Sequence, residues 1–246
     1  MNGAARRCKP AALAAKGPAM SVLAVPAPRP PGKLKTLQEV LDSLGNVPLV
    51  RIIADPPPGT ATERDVAEIE AHDHRLCELV DGTLVEKAVG LRESMIAAIL
   101  IEFLGPYIRS KNLGILTGAD GAMRLFPGMV RIPDVAFVSW ARMPGGRVPT
   151  EPIPDLVPDL AVEVLSEGNT PAEMDRKRHD YFAAGVRLAW FVEPRDRTIA
   201  VYSSPTQFRV LTEFDTLDGA DVLPGLFIPV RELFKEPSAS AIPAMR

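Results

Sequence analysis

The run Asp159-Leu160-Ala161-Val162-Glu163-Val164-Leu165 constrains this chain more than any other segment. It has the pattern of a strand that is apolar on both faces, so both faces need cover from other elements. It also carries a carboxylate, Glu163, in its middle. An ionised carboxylate taken out of water is costly unless a cation or strong donors compensate it. Glu163 therefore belongs to a buried ion pair, to a face that reaches solvent, or to a functional site.

A second carboxylate poses the same problem. In Arg131-Ile132-Pro133-Asp134-Val135-Ala136-Phe137-Val138, period-two alternation puts Asp134 on the face of Ile132, Ala136 and Val138. Pro133 cannot donate to a sheet ladder, so it marks the first paired stretch of a strand or a bulge, and bulges recur near active sites. A cation follows on a helix whose limits are nearly set by its end signals. Thr170 can cap it, Pro171 suits its first turn, Glu173 sits three residues after the cap and Gly185 can close it. On that helix Lys177 shares a stripe with Met174 and Tyr181 and so leans inward. The alternative is that Asp175 to Asp180 is a solvated charged face, the usual fate of such runs.

Carboxylates on neighbouring strands plus an inward lysine make a site suited to Mg²⁺ or Mn²⁺, a hard cation that takes oxygen ligands and keeps water. Such a cation lowers the pKa of a bound water and stabilises charge on a phosphate, while an ammonium orients the attacking water. The implied chemistry is phosphodiester hydrolysis.

Around these residues the chain reads as an α/β domain with a mixed sheet over residues 36–236. Leu37, Val40, Leu41 and Leu44 predict a short helix ending at Gly45, and Thr62 opens a second with Val66 and Ile69 inward. Cys77 to Val80 and Thr83 to Glu86 flank Asp81-Gly82, the pair best suited to a two-residue hairpin. Leu91 to Ile108 carries apolar residues at helical spacing from Met95 to Tyr107. Strands are predicted over Gly114 to Leu125, Val130 to Trp140 and Asp159 to Ser166, then a hairpin of Arg187 to Glu193 with Thr198 to Ser203. Shorter strands are expected around Phe208 and Phe227.

Composition narrows the partners. The chain has 246 residues, is 46% hydrophobic, and has no run near the roughly 18 apolar residues of a membrane-spanning helix. The net charge of -3 and the pI near 5.7 mean that nucleic-acid binding would rest on a local patch. Cys8 and Cys77 are too few and too far apart for a disulfide framework or a zinc knuckle, consistent with a reducing, cytoplasmic setting. Residues 1–35 are rich in Ala, Pro and basic residues without an apolar period and are expected to be a disordered tail; 237–246 reads as a flexible end. Basic residues before Ala19 to Val25 hint at a signal peptide, but that run is short for one. Met20 is an alternative start.

The segments Glu78 to Glu86, Arg131 to Val138, Pro158 to Ser166 and Lys177 through Tyr181 to Leu188 resemble, in that order, the Uma2 family within the PD-(D/E)XK nuclease superfamily. The similarity spans about residues 60–234. It implies a restriction-endonuclease-like core with a mixed β-sheet flanked by helices. By this resemblance Asp134 and Glu163 are catalytic carboxylates that hold metal together with the Val164 carbonyl. The superfamily's lysine two residues after the glutamate is replaced by Leu165, and Lys177 is the matching candidate from the next helix. Glu93, or Glu86 as its rival, would supply the additional acid, and Tyr181 lies on the same stripe as Lys177.

The leading expectation is a metal-dependent DNA endonuclease, with a homodimer implied by the superfamily. The alternatives are a catalytically idle nucleic-acid-binding or regulatory module on the same fold, and a hydrolase of small phosphoesters. DNA contacts would come from Arg142, Arg147, Arg176, Arg178 and Arg195.

Overall fold

The computed structural model describes residues 36–236, and the tails expected over 1–35 and 237–246 lie outside the described residues. Helix α1, Leu37–Ser43, starts at a capping box in which Glu39 N–H donates to Thr36 Oγ1 at 3.1 Å and Thr36 N–H donates to Glu39 Oε2 at 2.8 Å. A short strand β1, Ile52–Ile53, precedes α2, Glu63–Asp73, whose box pairs Thr62 with Asp65. Strands β2, Cys77–Val80, and β3, Thr83–Glu86, form the expected hairpin. Asp81 and Gly82 both have positive φ, 49° and 73°, as that two-residue turn requires.

Helix α3, Leu91–Ser110, runs slightly past the predicted end. The two long strand predictions that follow are each divided. Gly114 to Leu125 becomes β4, Gly114–Thr117, and β5, Met123–Phe126. The break is a tight turn in which Gly121 N–H donates to the Gly118 carbonyl at 3.1 Å, and a Cβ on Gly121 would stand 2.8 Å from Thr117. Val130 to Trp140 becomes β6, Met129–Arg131, and β7, Val135–Ser139, separated at the proline that cannot join a ladder.

The remaining elements are β8, Leu160–Val164, α4, Pro171–Ala184, β9, Leu188–Glu193, β10, Thr198–Tyr202, and β11, Phe208–Leu211. They are followed by β12, Thr216–Gly219, which the sequence pattern did not mark, β13, Leu223–Pro229, and α5, Val230–Leu233. The α4 capping box and its left-handed Gly185 cap lie where the end signals put them.

The strands form three sheets, ordered β1-β3-β2-β6-β5, β11-β10-β9-β8-β7-β4 and β12-β13. Among the strands of the described residues only β8 and β9 are parallel neighbours, and α4 is the crossover between them. On one face of the six-stranded sheet, Ile96, Leu100, Leu104 and Ile108 of α3 pack with Val135, Phe137, Leu160, Val162 and Trp190. On the other face α4 is wedged between sheets. Its Met174 and Tyr181 meet Ala161, Ala189 and Phe191 of the six-stranded sheet and Val80, Val85 and Met129 of the five-stranded sheet. Glu163 alternates with Val162 and Val164, so it points into this second layer.

Leu100 is fully buried in the α3 layer and Leu91, on the same helix, is 90% exposed. We expect Leu100→Ala to cost about 2–5 kcal/mol and Leu91→Ala to stay within about 0.5 kcal/mol of the parent, measured by urea unfolding. Equal costs would contradict this packing.

Candidate active site

The β7–β8 ladder pairs Val135 with Val162 and Ala136 with Ala161. Continued by one step, that register sets Asp134 opposite Glu163. The ladder does not continue regularly, because Asp134 N–H donates to the Val162 carbonyl at 2.9 Å and its Oδ2 accepts the Val164 N–H at 2.6 Å. The interruption at Pro133 thus turns a strand residue into a side-chain cap on the end of β8. The N–H and C=O of a strand residue point to the same side, so the Val164 carbonyl also faces the Asp134 edge.

Lys177 lies inward, as its stripe predicts, and its side chain is only 3% exposed. Its Nζ stands 3.1 Å from Glu163 Oε2 and 3.0 Å from Glu78 Oε1. The other Glu163 oxygen accepts the Tyr181 hydroxyl in a short hydrogen bond. Glu78 comes from β2, where it also accepts from Arg131 Nη1 at 2.7 Å and from Ile132 N–H at 3.1 Å. Arg131 extends the network to Asp180 of α4. On the far side Lys87, just after β3, places Nζ 2.9 Å from Asp134 Oδ1.

The protonation states follow from burial and charge. Burial pushes Glu163 above the usual carboxylate range, and the neighbouring Asp134 and Glu78 charges add to the rise, against the pull of Lys177. Glu78 is equally buried, but Lys177 and Arg131 together overcome that penalty and hold it at about 2. Burial also disfavours the Lys177 ammonium, yet Glu163 and Glu78 outweigh it and hold Lys177 above the ordinary lysine value. Tyr181 is raised well above its ordinary value by burial and by Glu163, so it stays a phenol that donates.

Asp134, Glu163, Val164, Lys177 and Tyr181 are thus brought together, while Glu93 and Glu86 are not. Glu93 folds its carboxylate back over Gly90 at the start of α3, and Glu86 pairs with Arg75 at 2.6 Å. Among the described residues neither shares a hydrogen bond or ion pair with Asp134, Glu163 or Lys177. The third acid in the cluster is Glu78. The test applied to Glu163, a carboxylate inside an apolar strand, points to it as well, because Cys77, Leu79 and Val80 surround it in sequence. Lys87 carries no comparable signal, since Glu86-Lys87-Ala88 reads as an ordinary strand exit.

Among the described residues, no three His, Cys, Asp or Glu side chains converge as a ready-made metal centre. The donor chemistry nevertheless fits a hard divalent cation, which is commonly held by one or two carboxylates with water completing its shell. Each oxygen of Asp134 and Glu163 accepts one contact already and retains a further lone pair. The arginines expected to contact DNA are mostly engaged within the chain. Arg142 pairs with Asp159, Arg176 with Asp81 and Asp180, Arg178 with Asp175, and Arg195 with Glu167. Arg147 instead lines a surface pocket with Arg124, Glu151 and Asp155.

A helix-flanked mixed sheet with a carboxylate at the broken start of one strand and another inside its neighbour is a restriction-endonuclease-like arrangement. The fold agrees with that of a crystal structure described as "a putative nuclease" from Anabaena variabilis, with TM-score 0.59 and 17% identity over 65% of this chain and 90% of that one. The model of the Uma2 family, described as "Putative restriction endonuclease", matches residues 64–231, and the chain belongs to that family. No curated protein matches the chain.

Because Glu78 is held below its ordinary value of 4.5, the stability it contributes is present above pH 4.5 and is lost as pH falls toward 2. Glu78→Gln is expected to cost about 3–5 kcal/mol at pH 7, since it leaves Arg131 and Lys177 undercompensated. The variant should also lose less stability than the parent between pH 4.5 and 2, as measured by denaturant midpoints. Parallel pH profiles for the two proteins would contradict the assignment.

Proposed function

We propose that this protein is a metal-dependent endonuclease that hydrolyses DNA phosphodiester bonds. The observation that carries the proposal is Lys177 Nζ at 3.1 Å from Glu163 Oε2. The superfamily pattern implies an ammonium beside this glutamate, and α4 supplies one although Leu165 stands at the usual lysine position. Asp134, Glu163 and the Val164 carbonyl would hold Mg²⁺ or Mn²⁺. Such a cation, when bound, acidifies a water and neutralises charge on the phosphoryl oxygens.

The chain's own residues do the positioning. Tyr181 and Lys177 fix both oxygens of Glu163, and the Val164 N–H fixes Asp134. Asp134 is the more open of the carboxylates, with a side chain 14% exposed against 6% for Glu163, so a phosphate would approach from its side. Lys177, held charged, donates to the attacking water and does not take a proton from it. Phosphate contacts by surface arginines would require exchange of their present partners. Arg195 is the most readily released, because its pair with Glu167 is exposed on both sides and such pairs are worth little, whereas Arg142 and Arg176 are held by the buried Asp159 and Asp180. The homodimer and the cytoplasmic setting belong to this proposal as well. No helix among the described residues is long and apolar enough to cross a membrane.

A second reading, an idle binding or regulatory module, is favoured by the salt bridges that already join Asp134 to Lys87 and Glu163 to Lys177. Nicking of supercoiled plasmid with Mg²⁺, Mn²⁺ or EDTA separates the two. The nuclease reading expects metal-dependent nicking that falls about 10²–10³-fold or more in a folded Glu163→Gln variant, with a similar loss in Lys177→Ala. Absence of nicking by the folded parent protein in either metal selects the idle module.

A further inference from the structure

The surroundings of Lys87 are those of a bound cation. Its side chain is 3% exposed, and its ammonium sits 2.9 Å from Asp134 Oδ1, 2.7 Å from the Ile132 carbonyl and 3.1 Å from the Ala119 carbonyl. An ammonium has three hydrogens and no acceptor, so these three oxygens use its full capacity. A carboxylate and two backbone carbonyls are also the donor types that a hard metal cation takes. The cage is assembled from separate parts of the fold: the exit of β3, the turn between β4 and β5, and the break between β6 and β7. Ile132 and Asp134 flank Pro133, so the same break presents both the carbonyl and the carboxylate.

We infer that Lys87 is a tethered counter-cation for Asp134 and that a divalent cation reaches Asp134 only by displacing this ammonium from it. The inference rests on the proposed metal site but not on catalysis. Although each oxygen of Asp134 keeps a lone pair, a divalent cation bound there beside the Lys87 ammonium would meet a like charge at close range, a repulsion that relaxes only if the ammonium withdraws. Displacement is feasible because the two carbonyls can keep the ammonium after the carboxylate is released. Lys87 is therefore a positioning residue. It keeps Asp134 compensated while the site is empty and makes metal affinity weaker than the oxygen donors alone would give.

The test uses the full chain and Mn²⁺ alone, with binding followed by electron paramagnetic resonance and by the metal-induced rise in Tm. Lys87→Met keeps the unbranched side chain and removes the charge. Lys87→Gln retains donors for the carbonyls and serves if the methionine variant fails to fold. Expected is at least a tenfold tighter Mn²⁺ affinity than in the parent, with the gain abolished when Asp134→Asn is added. Unchanged or weaker affinity in the folded variant overturns the inference, as does a gain that survives Asp134→Asn. Plasmid nicking by the parent protein is scored separately. Nicking with unchanged Mn²⁺ affinity removes the counter-cation role and leaves the nuclease reading standing, whereas loss of both Mn²⁺ binding and nicking removes both.

Discussion

The ammonium of Lys177 ties the layers together at the point where they converge. It is carried by a helix wedged between two sheets, and it contacts Glu163 on the six-stranded sheet and Glu78 on the five-stranded one. Both carboxylates are buried, so neither could remain ionised there without a cation within hydrogen-bond reach. The relative placement of the sheets is consequently coupled to the site: a shift of α4 that lengthened either contact would strand a charge. Around this contact Met174 and Tyr181 supply the apolar packing that keeps water out.

The distinction between local and nonlocal information explains what could be read beforehand. The α4 boundaries were legible because capping chemistry is local: Thr170, Glu173 and Gly185 act on backbone groups within a turn of themselves. The β2–β3 hairpin was legible for the same reason, since its turn needs positive φ at adjacent positions and Asp81-Gly82 tolerates it. The division of Gly114 to Leu125 into β4 and β5 was not. Both halves have strand propensity, and only the sheet pairing shows that one half joins β7 and the other joins β6. Pro133 did mark its break, although not that the two sides would enter different sheets.

The same distinction applies to the cluster. Asp134 and Glu163 stood out because each violates the polarity of its own strand, and Lys177 because it shares a helical stripe with Met174 and Tyr181, properties visible without partners. Glu78 violates it too, within a strand that is wholly buried. Lys87 violates nothing locally. Its role comes from acceptors 32 to 47 positions downstream, Ala119, Ile132 and Asp134, and no short-range pattern encodes that meeting.

The energetics separate a structural core from a site. Buried ion pairs are poor stabilisers, because desolvation consumes most of their Coulomb attraction and apolar residues of similar volume often serve the fold as well or better. Yet Glu163, Glu78 and Asp180 are joined through Lys177 and Arg131 in one chain of ion pairs, with the Asp134–Lys87 pair beside it, next to an otherwise apolar layer. Stability alone gives little reason to keep these charged groups where Leu and Met would pack. The network is also graded in exposure: Glu78 and Arg131 are sealed, whereas Asp134 opens toward solvent. Its inner part can hold geometry while its outer part exchanges partners, the division of labour required of a site that must bind a cation and a phosphate without losing its shape.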